Sequence, residues 1–207
     1  MGNRRQISRR EALTLPVAAT IAASAARAGQ KPAAAKPSKE QEDKAEKNGL
    51  PYGTIGDLKI SRLILGSNTP GSHSRDLIYV SQLGRAYNTK ARMLATYALA
   101  ESQGINTLLQ GNTGLIREYN TKQGGHLRTI PPVQVTKNDN KGKIKKTLTA
   151  AMKNDVAAAF YIMGDRGDYL ARAKRMDVVG TAIEVAKELG ITLGLGGHSL
   201  QVPIQCE

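Results

Sequence analysis

Five polar residues each follow an apolar run in this chain within a few positions: Asn68, Asn112, Lys137, Asp165 and His198. A histidine can gain or lose a proton near neutral pH, and a carboxylate can orient it. A lysine ammonium can polarise a carbonyl, and an asparagine amide can both donate and accept hydrogen bonds. If the apolar runs are parallel strands, all five residues project from the same end of one sheet, where α/β folds place their sites. Lys137, Asp165 and His198 are therefore candidate catalytic groups, and Asn68 and Asn112 candidate substrate contacts. Each also has a plainer reading. His198 can be a loop histidine bonded to backbone, and Asp165 can pair with Arg166 or cap a helix. Lys137 opens a polar run to Asn140, and the two asparagines suit turns. An Asp165–His198 metal pair would need a third ligand that the sequence does not supply, so no metal is assigned.

The elements that must position these groups follow from the pattern. Leu58 to Asn68 reads as a buried first strand, because an unbroken apolar run suits a strand covered on both faces. Arg75–Ala86 and Thr89–Gln103 read as helices, the second with Thr89 as N-cap and Gly104 in the left-handed position after it. Ile105–Leu109 is a second strand, and about Leu115 to Lys122 a helix stopped by Gly124-Gly125. The third strand runs from about Thr129 to Thr136, with Pro131 and Pro132 at its entrance and Val133–Val135 as the paired part. Lys141–Lys153 is an amphipathic helix with Ile144, Leu148, Ala151 and Met152 on one face. Ala157–Met163 is the fourth strand. A helix carrying Val179, Ala182, Ile183 and Ala186 on one face ends at Gly190, and Ile191–Gly196 is the fifth strand. Repeated strand–loop–helix steps predict an α/β fold, either a doubly wound sheet or a (β/α)8 barrel. Gly66-Ser67-Asn68-Thr69-Pro70-Gly71 lacks the central glycines of a dinucleotide-binding turn.

The 207 residues divide by composition. Residues 1–28 place Arg9 and Arg10 before an uncharged, alanine-rich stretch and small-residue cleavage sites such as Ala26-Arg27-Ala28, the layout of a secretory signal. Residues 29–49 form a Lys-, Pro- and Ala-rich linker that can bury no core. Residues 50–207 remain as the folded domain. The formal charge is +13, and with five Arg and one Glu in the leader, 25 basic and 16 acidic residues leave +9 for the rest. The face of Lys141, Lys143, Lys145 and Lys146 is a solvated one on this reading, and aromatic residues for base stacking are scarce, so no nucleic-acid partner is expected. Cys206 is the single cysteine, which excludes an intramolecular disulfide and a cysteine metal cluster. The leader is too short to span a bilayer comfortably, and no cysteine follows it to carry a lipid, so no stable membrane anchor is expected.

The leader resembles a bacterial twin-arginine (Tat) signal, with Ala12 where such signals usually carry Phe. That implies the Tat translocase as a partner and a periplasmic or otherwise exported location. Leu50-Pro51-Tyr52-Gly53-Thr54-Ile55-Gly56, with Leu58 to Gly66 after it, resembles the opening of aldo/keto reductases. His73-Ser74-Arg75-Asp76-Leu77-Ile78-Tyr79-Val80 with Ala86-Tyr87 resembles a Tat-signal-bearing branch of that superfamily. The resemblance implies a (β/α)8 TIM barrel and NADPH as a cofactor, which delivers hydride while Tyr, Lys, Asp and His protonate a carbonyl. Here Gly104-Ile105-Asn106 matches the family's second strand, but Leu109 stands in the Asp place and the Tyr falls near Gly114. Lys137 lies close to the family's Lys, and the His place falls near Met163 or Gly164. The expectation is thus a partial barrel of about five βα units, an exported reductase-like protein with an altered or lost tetrad. The other reading is a non-catalytic binding domain or an inactive fragment using the same rim. Five strands leave a sheet edge open, so either more chain or a partner chain is expected to cover it.

Overall fold

A computed structural model describes residues 49–67 and 78–207; Arg9, Arg10, Asn68 and His73 lie outside them, as does the expected helix start at Arg75. Among the described residues the fold is mixed α/β, with seven helices, one antiparallel hairpin and two small parallel sheets. The hairpin comes first: β1 (Tyr52–Ile55) and β2 (Leu58–Ser61) pair antiparallel around a tight turn in which Gly56 takes φ 58°. The parallel strands follow in chain order. β3 (Leu65–Gly66), β4 (Thr107–Leu109) and β5 (Arg128–Ile130) form one sheet. β6 (Pro132–Val133), β7 (Phe160–Ile162) and β8 (Leu193–Leu195) form the other. A parallel bridge from Thr129 to Ala157 links them across the step at Pro131. The sheet does not close into a barrel among the described residues.

Two expected strands need correction. The apolar run from Leu58 is not one parallel strand: it supplies a hairpin arm, breaks, and resumes as the short β3. The hairpin satisfies the backbone of Leu58–Ser61 with a local partner that an apolar run alone does not reveal. The third strand is paired on both sides of Pro131 rather than over Val133–Val135 alone. Arg128–Ile130 pairs with β4, and Pro132–Val133 with β7. Proline has no N–H to donate, so the ladder changes partner where the prolines fall.

The helices are α1 (Ile78–Tyr87), α2 (Lys90–Ser102), α3 (Thr113–Gln123), α4 (Lys141–Ala151), α5 (Gly164–Arg172), α6 (Met176–Glu188) and α7 (Gln201–Cys206). Thr89 caps α2 by accepting the Arg92 N–H, and Gly104 takes φ 90° after it. In α4, Ile144 and Leu148 are fully buried, whereas Met152 is 43% exposed, one turn too late to face the core. The larger core joins α4, α5 and α6 to β6–β8 through Ile144, Leu148, Ile162, Leu170 and Val185. A second packs Tyr97 and Tyr119, 6.0 Å apart and edge to face, with Leu108, Ile116 and Leu127. A third sets Ile60 of the hairpin against Ile130 and Ala159.

Candidate functional site

The C-terminal ends of the parallel strands open into a cleft of about 700 Å³ among the described residues. Ser67 borders it after β3, Gln110 after β4, Tyr161 and Gly164 on and after β7, and Gly197 and His198 after β8. His198 is therefore in the cleft, and it is paired. Its Nδ1 lies 2.7 Å from Asp168 Oδ2, and its backbone N–H donates to Asp168 Oδ1 at 2.9 Å. The Ser199 N–H donates to the same oxygen at 3.0 Å. One carboxylate thus holds both the imidazole and the loop that carries it. A carboxylate accepts only from the protonated nitrogen, so the neutral ring keeps its proton on Nδ1 and leaves Nε2 free to act as a base. Asp168 is 7% exposed, whereas the His198 side chain is 57% exposed. Hydrogen bonds from the His198 side chain and from the two backbone N–H groups hold the Asp168 carboxyl below its ordinary range, against the smaller opposing effect of desolvation.

Asp168 reaches His198 because α5 runs close to the end of β8, and two glycines permit that approach. A Cβ on Gly167 would lie 2.0 Å from the Gly196 carbonyl oxygen, and one on Gly164 would lie 2.8 Å from His198 Cε1. Neither this helix nor Asp168 is among the elements and site residues expected from the sequence, since Gly164 and Gly167 weaken a helical pattern. The usable signal was the spacing of Tyr169, Leu170 and Ala173 behind the two glycines.

A second set of contacts spans the other side of the cleft. Ser67 Oγ donates to Gln110 Oε1 at 3.2 Å. Tyr161 also lines the cleft, and its phenol pKa is raised by burial and by the nearby Asp165 charge, with the Gln110 amide opposing. Tyr161 thus stays protonated and able to donate. Gln110 takes φ 67°, a left-handed conformation rare outside glycine. Its N–H donates to the Ile130 carbonyl at 3.0 Å, and its own carbonyl accepts the Thr129 hydroxyl, so the surrounding strands impose the conformation.

The remaining expected site residues do not line this cleft. Lys137 is exposed, with Nζ 5.8 Å from the Tyr169 ring centroid. Asp165 lies in the first turn of α5 and is exposed. Asn112 is the N-cap of α3, accepting the Leu115 N–H at 3.0 Å. No group of three or more His, Cys, Asp or Glu able to hold a metal occurs among the described residues. Among the described residues the lining contains no Lys and no Arg. Comparison with known proteins finds no matching family model, no similar curated protein and no similar solved structure.

Proposed function

We propose that residues 50–207 are the front part of an aldo/keto reductase-like barrel whose rim has exchanged hydride chemistry for proton transfer. On this reading His198 Nε2 removes a proton from the carbon next to a carbonyl of a small ligand. Asp168 keeps the ring in the tautomer that can do so and stabilises the imidazolium that forms. The Tyr161 phenol donates to the carbonyl oxygen as it gains negative charge. The observation that carries the reading is the Asp168–His198 pair, 2.7 Å between Nδ1 and Oδ2, opening onto a cleft at the C-terminal strand ends. Arg9 and Arg10 support export on the Tat translocase before this chemistry is used.

The test is deuterium exchange into hydroxyacetone and dihydroxyacetone in D2O, followed by proton NMR with the full chain and no added cofactor. Exchange should fall by about 10²- to 10⁴-fold in His198→Asn, the range for loss of a positioned base. Exchange that survives His198→Asn overturns the role of the dyad. NADPH-dependent reduction of the same ketones would instead restore the reductase reading. The runner-up is a binding rim without catalysis, favoured by Leu109, 41% exposed and bordering the cleft where the family's Asp would stand; binding with no exchange is its signature.

A further inference from the structure

We infer that the ligand of this cleft is uncharged and rich in hydroxyl groups, a neutral polyhydroxy carbonyl compound, and that Gln110 is the side chain that selects it. The inference rests on the proposed site and deepens it. The whole chain carries +13, yet among the described residues no Lys or Arg lines this cleft. Apart from His198 and two tyrosines, its lining has no ionisable side chain among the described residues. Its polar members are neutral and short: Ser67, Asn88, Thr96 and Gln110. A phosphate or carboxylate on the ligand would lose its hydration with no Lys or Arg among the described lining residues to replace it, Arg92 being stacked on the outer Tyr87 ring. Hydroxyl groups meet no such penalty, because each can donate to and accept from amides and hydroxyls. Tyr161 offers a ring for the C–H faces that such ligands also present, whereas the Tyr87 ring at the edge carries the Arg92 guanidinium 4.0 Å from its centroid.

Gln110 is the centre of this arrangement. It sits between Ser67 and Tyr161, and a primary amide presents a donor and an acceptor side by side, as adjacent hydroxyls do. Its backbone is held at φ 67°, where glycine would be the unstrained choice. A residue held at a conformational cost, with its side chain lining a cleft, is a candidate for contact with what the cleft takes.

The experiment compares D-fructose with D-fructose 1-phosphate, which can close the same pyranose ring and differs in one phosphate. Binding to the full chain is followed by calorimetry and by the His198 ring signals in NMR. Fructose should shift those signals saturably, and its phosphate should bind at least about ten-fold more weakly. Gln110→Gly, which relieves the backbone and keeps the fold, should weaken fructose about ten-fold, the equivalent of one or two lost hydrogen bonds. Gln110→Leu should do the same if it folds, shown by an unchanged wild-type pattern of the buried Tyr97 and Tyr119 signals. Tighter binding of the phosphate, no saturable shift with fructose, or full affinity in Gln110→Gly would each overturn the inference. Fructose binding without proton exchange would leave the ligand class standing and sink the acid–base reading. Exchange confined to phosphorylated ligands would do the reverse.

Discussion

At the N-terminal ends of the strands, Asn106 is 2% exposed and Arg128 7% exposed, and both are tied to the hairpin. Asn106 Oδ1 accepts the Ser61 N–H at 3.1 Å and the Thr107 hydroxyl at 2.9 Å, while its Nδ2 donates to the Lys59 carbonyl at 3.1 Å. Arg128 Nη2 donates to that same carbonyl at 3.1 Å, and the Tyr52 hydroxyl donates to the Gly104 carbonyl at 2.7 Å. At the C-terminal ends, Gln110 and His198 are equally polar but face open space, one on a left-handed backbone and one more than half exposed. The first end uses polar groups to close the sheet, and none of its buried side-chain atoms lacks a partner among the described residues. The second end spends conformational energy to keep polar groups available. A network that is complete contributes stability and a unique register; one that is held short of completion can take up a ligand.

The contrast predicts a large effect at the closed end. Asn106→Leu keeps the volume but takes the acceptor from the Ser61 N–H and the Thr107 hydroxyl, while the Lys59 carbonyl keeps its Arg128 donor. It should cost about 3 kcal/mol in urea denaturation, since each orphaned buried group costs about 1–3 kcal/mol. A loss below about 1 kcal/mol would mean that water replaces the amide and that the hairpin does not seal this end.

The dyad should respond to acid. Because hydrogen bonds from His198 hold the Asp168 carboxyl below its ordinary range, the folded protein binds fewer protons than the unfolded chain there. That contribution is fully present above the unfolded carboxylate pKa, about 3.9, and is lost as pH falls through the lower folded value. Tm should therefore fall further for the wild type than for Asp168→Asn between about pH 6 and about pH 2. Parallel Tm profiles would show that the pair contributes nothing to stability. In ¹⁵N NMR the neutral wild-type ring should carry its proton on Nδ1, and Asp168→Asn should shift the proton toward Nε2.

Asn112 sits at the open end but behaves like a residue of the closed one. Its side chain is engaged in capping α3, so Asn112→Ala should cost about 1 kcal/mol, with fructose affinity unchanged. A change in affinity without a change in stability would return Asn112 to the site.

How far the sequence exposed this layout depends on whether a residue's role is local. Thr89, Gly104, Gly124 and Gly190 act within their own turns, and their positions were readable from type and spacing. The place of His198 past the last strand was readable because the apolar run Ile191–Gly196 marks the strand before it. Asp168 was not, because its partner lies thirty residues away and the helix presenting it contains the glycines that tight packing requires. The division of the first apolar run into a hairpin arm and β3 was hidden for a related reason. Hydrophobicity records that a segment is covered, not whether its neighbour is antiparallel or parallel. Gln110 carries no mark at all in the sequence, since nothing about glutamine announces a left-handed backbone.

That last residue gives the smallest effect and the sharpest division between the two ends. Glycine at φ 67° avoids the steric cost that glutamine bears, but it also gives the unfolded chain more freedom to lose. The Ser67 and Tyr161 contacts disappear as well, though both groups stand at the cleft and can turn to water. The balance should leave Gln110→Gly within about 0.5 kcal/mol of the wild type, on the stabilised side, by urea denaturation. A substitution that leaves stability level while weakening fructose would separate a residue kept for contact from one kept for folding. The same measurement on Asn106→Leu should give the opposite result, with stability lost and the affinity of the molecules that remain folded retained. If Gln110→Gly instead loses more than about 1 kcal/mol, the left-handed turn is part of the sheet's own architecture. The C-terminal end would then be as closed in energetic terms as the N-terminal one.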